Sequence, residues 1–364
     1  MKYKAFHNGP LKNDDEEYWR ERKTINAEEL GEMFETETND KLKQLIKFLK
    51  SYKRIQEMIP WAQLDTKLSK DLLLELTKNF FQSVNTDFST QVKEVVDQEG
   101  QTTRENYFDK DIVFDIIEDS NKGLAGCQRF DFGPSIDMPD FMLENIRKKS
   151  GEEEYNKWLR RTKPSTQFVI KISTNGCIGD LYNLTHELTH YLILKNKKTA
   201  RTLDEVGPQC MERILDDYLL TLSDEDLAKY QFDRSKLKND IMARKAITFI
   251  SRYNITTDFN TGIRNNKNGP EEEENVQYLL SQLFAGQLSQ YSEEERKKMV
   301  VEAVKGISLD DFDGVSKIFN IDWKNPESRK KLVSTAVGET KQIINYLGKH
   351  PEYGQTQDES EETR

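Results

Sequence analysis

The chain has 364 residues, 35% of them hydrophobic, enough apolar material to bury the core of one large domain or two smaller ones. Its 64 acidic and 54 basic residues give a formal net charge of -10, and no sustained Lys/Arg block breaks the mixed-sign pattern, which argues against nucleic acid as a partner. The polar stretch Met1 to Glu17 lacks a signal-type apolar run and no later segment reaches membrane-spanning length; the expectation is a cytoplasmic chain that does not engage a membrane, with signal-less export left open.

Between Ala27 and Val95 apolar residues recur every three or four positions, as in Leu42, Leu45, Ile46 and Leu49, and predict amphipathic helices. From Gln98 to Pro139 the pattern is broken by Gly123, Gly126, Gly133, Pro134 and Pro139, and loops with short elements are expected. A helix over Phe141 to Arg161 follows, interrupted at Gly151. Thr166 to Ser173 is the best strand, rich in β-branched residues and bounded by Pro164 and Asn175-Gly176. It reads equally as an edge that pairs with an extended substrate backbone and as an ordinary strand of a small sheet.

The next helix starts near Asp180, with Leu181, Leu184, Leu188, Tyr191 and Leu192 on an apolar stripe. Ser223 to Ile250 and Glu271 to Val304 also read as helices, separated by the polar stretch Asn254 to Pro270, long for a loop and compatible with a lid or a plain connection. Tyr353 to Arg364 is polar and acidic and is expected to be disordered. The division this suggests is a helical part over 1–162, a central part over 163–250, a second helical part over 251–352 and the tail. Cys127, Cys177 and Cys210 are an odd number without paired spacing, so free thiols are expected.

The chemistry concentrates in His186, Glu187, Leu188, Thr189 and His190, an HExxH sequence. Histidines four apart on a helix project from one face and can share one zinc ion. Glu187 beside them is placed to take a proton from a zinc-bound water rather than to ligate. The chain has only four histidines, the others being His7 and His350 in the tails, so a third ligand must be a downstream carboxylate. Glu212 is preferred, about one turn into a helix that starts at Gly207-Pro208, with Asp216 a turn further on to hold an imidazole by its second nitrogen. Glu205 is the alternative third ligand, in a capping box with Thr202.

His186 to His190 followed by Glu212 and Asp216 resembles the HExxH…ExxxD pattern of the gluzincin metallopeptidases. The pentapeptide is similar to that of the thermolysin-like members, and the helical remainder to the helical oligopeptidases and dipeptidyl carboxypeptidases. The resemblance implies a mainly α fold, with a zincin-like catalytic core whose small β-sheet lies next to the HExxH helix, enclosed by helices. It further implies one Zn2+ on His186, His190 and Glu212, Glu187 as general base and acid, Asp216 orienting a histidine, and a peptide or protein substrate. Thermolysin-like enzymes stabilise the oxyanion with a later histidine, and none occurs here between His190 and His350. Helical oligopeptidases use tyrosines, for which Tyr253, Tyr278 and Tyr291 are the candidates. Two other readings stay open: a non-catalytic helical interaction protein with a chance or relic HExxH, and an effector or toxin protease with one protein target.

Overall fold

The computed structural model describes residues 37–58, 64–103, 106–107, 110–118, 125–132, 138–162, 165–196, 205–264, 270–305, 312–322, 325–350 and 353. In chain order the elements are α1 (Glu37–Lys50), α2 (Lys53–Met58), α3 (Lys70–Val84), α4 (Thr86–Val96), β1 (Ile112–Glu118), β2 (Ala125–Phe132), α5 (Asp140–Arg161), β3 (Ser165–Thr174), α6 (Ile178–Asn196), α7 (Val206–Leu220), α8 (Asp224–Lys229), α9 (Arg234–Arg264), α10 (Pro270–Gln287), α11 (Glu293–Lys305), α12 (Phe312–Ile318) and α13 (Pro326–Leu347). The chain is mainly α-helical, with one small sheet against the helix that bears HExxH, as expected. No helix among the described residues is long and apolar enough to cross a membrane.

The sheet has the order β1-β3-β2, with β1 parallel and β2 antiparallel to β3. β3 is therefore the central strand, both of its edges already paired, and it cannot take up an extended substrate. Its continuous apolar run explains the position: Val169, Ile170 and Ile172 are all buried, as a strand covered on both faces requires. The edge beside the motif helix is instead β2, one of the short elements expected between Gln98 and Pro139. Phe168 of β3 meets Tyr191 of α6 edge to face at 5.0 Å, fastening sheet to helix.

Helix α6 is buried on nearly all sides, from Leu181, Tyr182 and Leu184 through Leu188, Thr189, Tyr191, Leu192 and Ile193. Its start is fixed by Asp180, whose carboxylate accepts the backbone N–H of Asn175 and Cys177 at 3.0 and 3.1 Å. Gly176 supplies the positive φ of 68° in the turn just before. Thr66 and Leu68 are bonded to the same turn, with Ile178 N–H donating to Thr66 O and Leu68 N–H to Gly176 O. Asp240 of α9 in turn accepts the N–H of Asp65 and Thr66, so the entrance to α6 is held from two directions.

Three expectations are corrected. The helical backbone of α9 continues through Arg264, so most of the Asn254 to Pro270 stretch is helix rather than loop. Propensity in a run rich in Asn and Thr is a weak prior that tertiary context overrides. α6 runs to Asn196 instead of ending near Ile193. Tyr353 is buried and donates its hydroxyl to Asn239 O at 3.0 Å, so it is ordered against α9; residues 354–364 lie outside the described residues. The helix interrupted at Gly151 is present, with a non-helical φ of 88° there.

Candidate metal centre

His186 and His190 stand one turn apart on α6 and bring their Nε2 atoms to 3.1 Å from each other. The carboxylate that closes on them is Glu205. Its Oε2 lies 3.1 Å from His186 Nε2 and its Oε1 lies 3.3 Å from His190 Nε2. His186, His190 and Glu205 thus form a group that could hold a metal ion. Glu205 is the N-cap of α7: its carbonyl accepts the N–H of Gln209, but its side chain makes no cap bond and points into the cleft instead. Pro208 falls in the first turn of α7, where an N–H would have no helical partner, so it does not interrupt the helix.

Glu212, the preferred third ligand from the sequence, is elsewhere. Its Oε1 lies 2.7 Å from His186 Nδ1, on the ring nitrogen that faces away from Glu205 and His190, and its Oε2 accepts from Arg244 of α9. Glu212 comes level with the histidines if α6 ends near Ile193 and the two helices travel a comparable rise, whereas α6 runs to Asn196. Residues 197–204 can span up to about 26 Å when extended, so the chain can come back level with the histidines before α7 begins. Thr202, the other half of the expected capping box, lies outside the described residues. Asp216 does not meet a histidine either; it accepts the Tyr182 hydroxyl at 2.6 Å and lies 3.3 Å from Lys245 Nζ.

The electrostatics match this division. Burial works against a charge on His186, but contacts with Glu205 and Glu212 outweigh it and raise its pKa to about 10. Burial likewise opposes ionisation of Glu205, and the two histidines nevertheless hold it far below the usual carboxylate range. For Glu212 burial is overcome first by Arg244 and then by His186, bringing the pKa to about 2. Glu187 goes the other way. Burial pushes its carboxyl up, partly offset by the two histidines.

A cleft of about 250 Å3 opens over these groups, lined by His186, Glu187, His190, Glu205, Tyr278 and the β2 residues Ala125 to Cys127. That volume accommodates the atoms around one bond rather than a whole ligand, for which roughly 300–1,000 Å3 is usual. Of the three tyrosines singled out, Tyr278 alone is seen at the cleft. Tyr291 donates its hydroxyl to Phe319 O at 3.1 Å, and the side chain of Tyr253 lies outside the described residues. Gln209 of α7 donates to Tyr278 O at 3.2 Å, tying the Tyr278 backbone to the start of the helix that carries Glu205.

The donor set fits zinc. Two imidazole nitrogens and a carboxylate oxygen are ligands that zinc takes, and one such atom from each of the three residues lies within 4.8 Å of the other two. The two Nε2 atoms and the Glu205 carboxylate converge in a buried cluster, a set of ligand atoms that one cation would satisfy.

Sequence reasoning missed Arg244, Lys245, Tyr182 and the Ala125-Gly126-Cys127 edge. The first three are ordinary helix residues that meet their acidic partners across 32, 29 and 34 positions of sequence, and no local spacing marks them. For β2 the signal was present but short.

No family model matches the chain, and no curated protein matches it. One solved structure it resembles is described as "a putative oligoendopeptidase F from Bacillus anthracis str. Ames", at 15% identity and a TM-score of 0.48, covering 89% of this chain. The chain spans 59% of the length of that protein.

Proposed function

We propose that this chain is a zinc-dependent peptidase in which His186, His190 and Glu205 hold one zinc ion and Glu187 is the general base and acid. The observation that carries the reading is the convergence of two histidines and a glutamate whose ligand atoms lie within 4.8 Å of one another, with a buried carboxylate of raised pKa next in sequence to one of them. A zinc ion held there supplies Lewis acidity, polarising a carbonyl and making a water acidic near neutral pH. Glu187 takes the proton of the attacking water and returns it to the leaving amine. Its N–H partner, Cys127 of β2, steadies the carboxylate against the sheet.

The cleft is small and flanked by an edge strand, which favours a substrate that runs along β2 in extended form with only the scissile bond over the histidines. Small residues at Ala125 and Gly126 leave room for a backbone to approach; a Cβ added at Gly126 meets nothing within 4 Å. Tyr278, lining the same cleft, is the oxyanion stabiliser in this reading. Arg129 of β2 donates to Leu194 O of α6 at 2.7 Å and holds the strand in register with the helix that carries the histidines.

The experiment is zinc quantification and peptide hydrolysis on the full chain and on Glu187→Gln. One equivalent of zinc in both proteins, with cleavage only in the wild type, is expected. Cleavage at an unchanged rate in Glu187→Gln would sink the mechanism, and a wild-type chain without affinity for zinc would sink the reading as a whole.

A further inference from the structure

Behind the histidines lies a buried ionic network that the proposed chemistry does not itself use. Glu212 and Asp216 are one turn apart on α7, and Arg244 and Lys245 are neighbours on α9; each acid faces one base. The Arg244 Cζ also lies 3.6 Å from the centre of the Tyr182 ring of α6, while the Tyr182 hydroxyl donates to Asp216 at 2.6 Å. Three helices therefore meet in one set of contacts, joined to the cleft by the Glu212 to His186 Nδ1 bond.

We infer that Arg244 is a positioning residue for the metal centre, acting through Glu212 to fix the ring orientation and tautomer of His186. The inference rests on the zinc-peptidase reading. Glu212 has two oxygens, and Arg244 occupies one of them, so only Oε1 is left for His186. A carboxylate held in this way accepts the Nδ1 hydrogen, which leaves the Nε2 lone pair directed at Glu205 and His190. Arg244 also keeps Glu212 from swinging into the cleft as a competing ligand. The planar fork suits both tasks, because one face stacks on Tyr182 while an edge nitrogen reaches the carboxylate; an ammonium has no such face.

The test is a double-mutant cycle on zinc affinity, measured by chelator competition on the metal-stripped full chain. Arg244→Met and Glu212→Gln should each weaken zinc about 10- to 100-fold, and the double variant should be no weaker than Glu212→Gln alone, because Arg244 has nothing left to act through. Arg244→Lys should recover part of the loss. If Arg244→Met does not fold, as judged by circular dichroism of the metal-free protein, Arg244→Lys takes its place in the cycle. Losses that multiply in the double variant would assign Arg244 to general stability and overturn the inference, as would wild-type zinc affinity in the single variant. Wild type that binds no zinc overturns the functional reading and this one with it; wild type that binds zinc with a multiplicative cycle overturns this one alone.

Discussion

Glu212 Oε1 lies 2.7 Å from His186 Nδ1, while Glu205 Oε2 lies 3.1 Å from His186 Nε2, so the two carboxylates grip opposite nitrogens of one imidazole. The nitrogen that faces the second histidine is the one that can share a metal with it, so the proposed zinc site takes Glu205 as the ligand and Glu212 as the residue that orients one. Glu205→Ala should abolish stoichiometric zinc binding, whereas Glu212→Gln, which can still accept from Nδ1, should retain zinc with about 10- to 100-fold lower affinity. Metal analysis after gel filtration reads both. Full zinc occupancy in Glu205→Ala with loss in Glu212→Gln would reverse the assignment.

The metal-free centre should carry a proton where zinc would bind. Burial alone would depress His186, but its contacts with Glu205 and Glu212 raise it from 6.5 to about 10, so at pH 7 the cluster is protonated. Zinc needs the neutral imidazole, and binding at pH 7 should release about one proton, with affinity rising about tenfold per pH unit until the pH approaches 10. The same shift bears on stability. A folded-state pKa above the unfolded value stabilises fully below 6.5 and loses that stabilisation as pH rises through 10. Metal-free protein should therefore melt at lower temperature at pH 10 than at pH 6, a decline that bound zinc suppresses. Calorimetric titrations in buffers of different ionisation heat measure the proton directly; none released at pH 7 would contradict the arrangement.

Tyr278 and Tyr291 offer an internal control for the oxyanion role. Both were singled out from sequence, but Tyr278 lines the cleft and Tyr291 spends its hydroxyl on Phe319 O. Tyr278→Phe should lower kcat about 10²- to 10³-fold with little change in KM, the pattern of a contact made only in the transition state. Tyr291→Phe should leave kcat unchanged and cost about 1 kcal/mol of stability. Steady-state kinetics that show equal effects in the two variants would remove Tyr278 from the mechanism.

How much of this was legible in the sequence depends on how local the signal was. The helix bearing His186 and His190, the break at Gly151 and the strand before the motif follow from periodicity and punctuation within windows of ten to twenty residues. The position of Glu205, and not Glu212, beside the two Nε2 atoms did not, because it turns on where the chain comes back after α6, and helix rise alone says nothing about the length of a connection. Arg244 was out of reach for the same reason: it is brought to Glu212 by the packing of α9 against α7, and a lone Arg on a helix face carries no mark of what it will meet. Strand order was hidden as well. β3 has the strongest strand pattern because it is central and covered, and the same property disqualifies it from binding substrate at an edge.

The close approach of α6 and α7 that delivers Glu205 to the histidines depends on Gly207. A Cβ there would lie 2.9 Å from Ile193 Cδ1, 3.4 Å from Val304 Cγ2 and 3.8 Å from Thr189 Cγ2. The nearest atom is the end of a side chain that is itself buried, so Gly207→Ala forces a rotamer change or a small shift of α7. Overpacking of this kind costs about 1–3 kcal/mol, partly offset by up to about 1 kcal/mol of helix propensity gained on replacing Gly. Ile193→Val removes the obstructing Cδ1 and alone costs about 0.5–1.5 kcal/mol through the cavity it leaves. In the double variant the new methyl occupies that cavity, so its unfolding free energy should be closer to wild type than the sum of the single effects, by about 1 kcal/mol. Zinc affinity should follow: weakened in Gly207→Ala, where Glu205 rides on the displaced start of α7, and restored in the double variant. Denaturant unfolding of the metal-free proteins together with zinc titration measures both, and strictly additive stabilities with no change in zinc affinity would show that the contact at Gly207 does not set the position of Glu205.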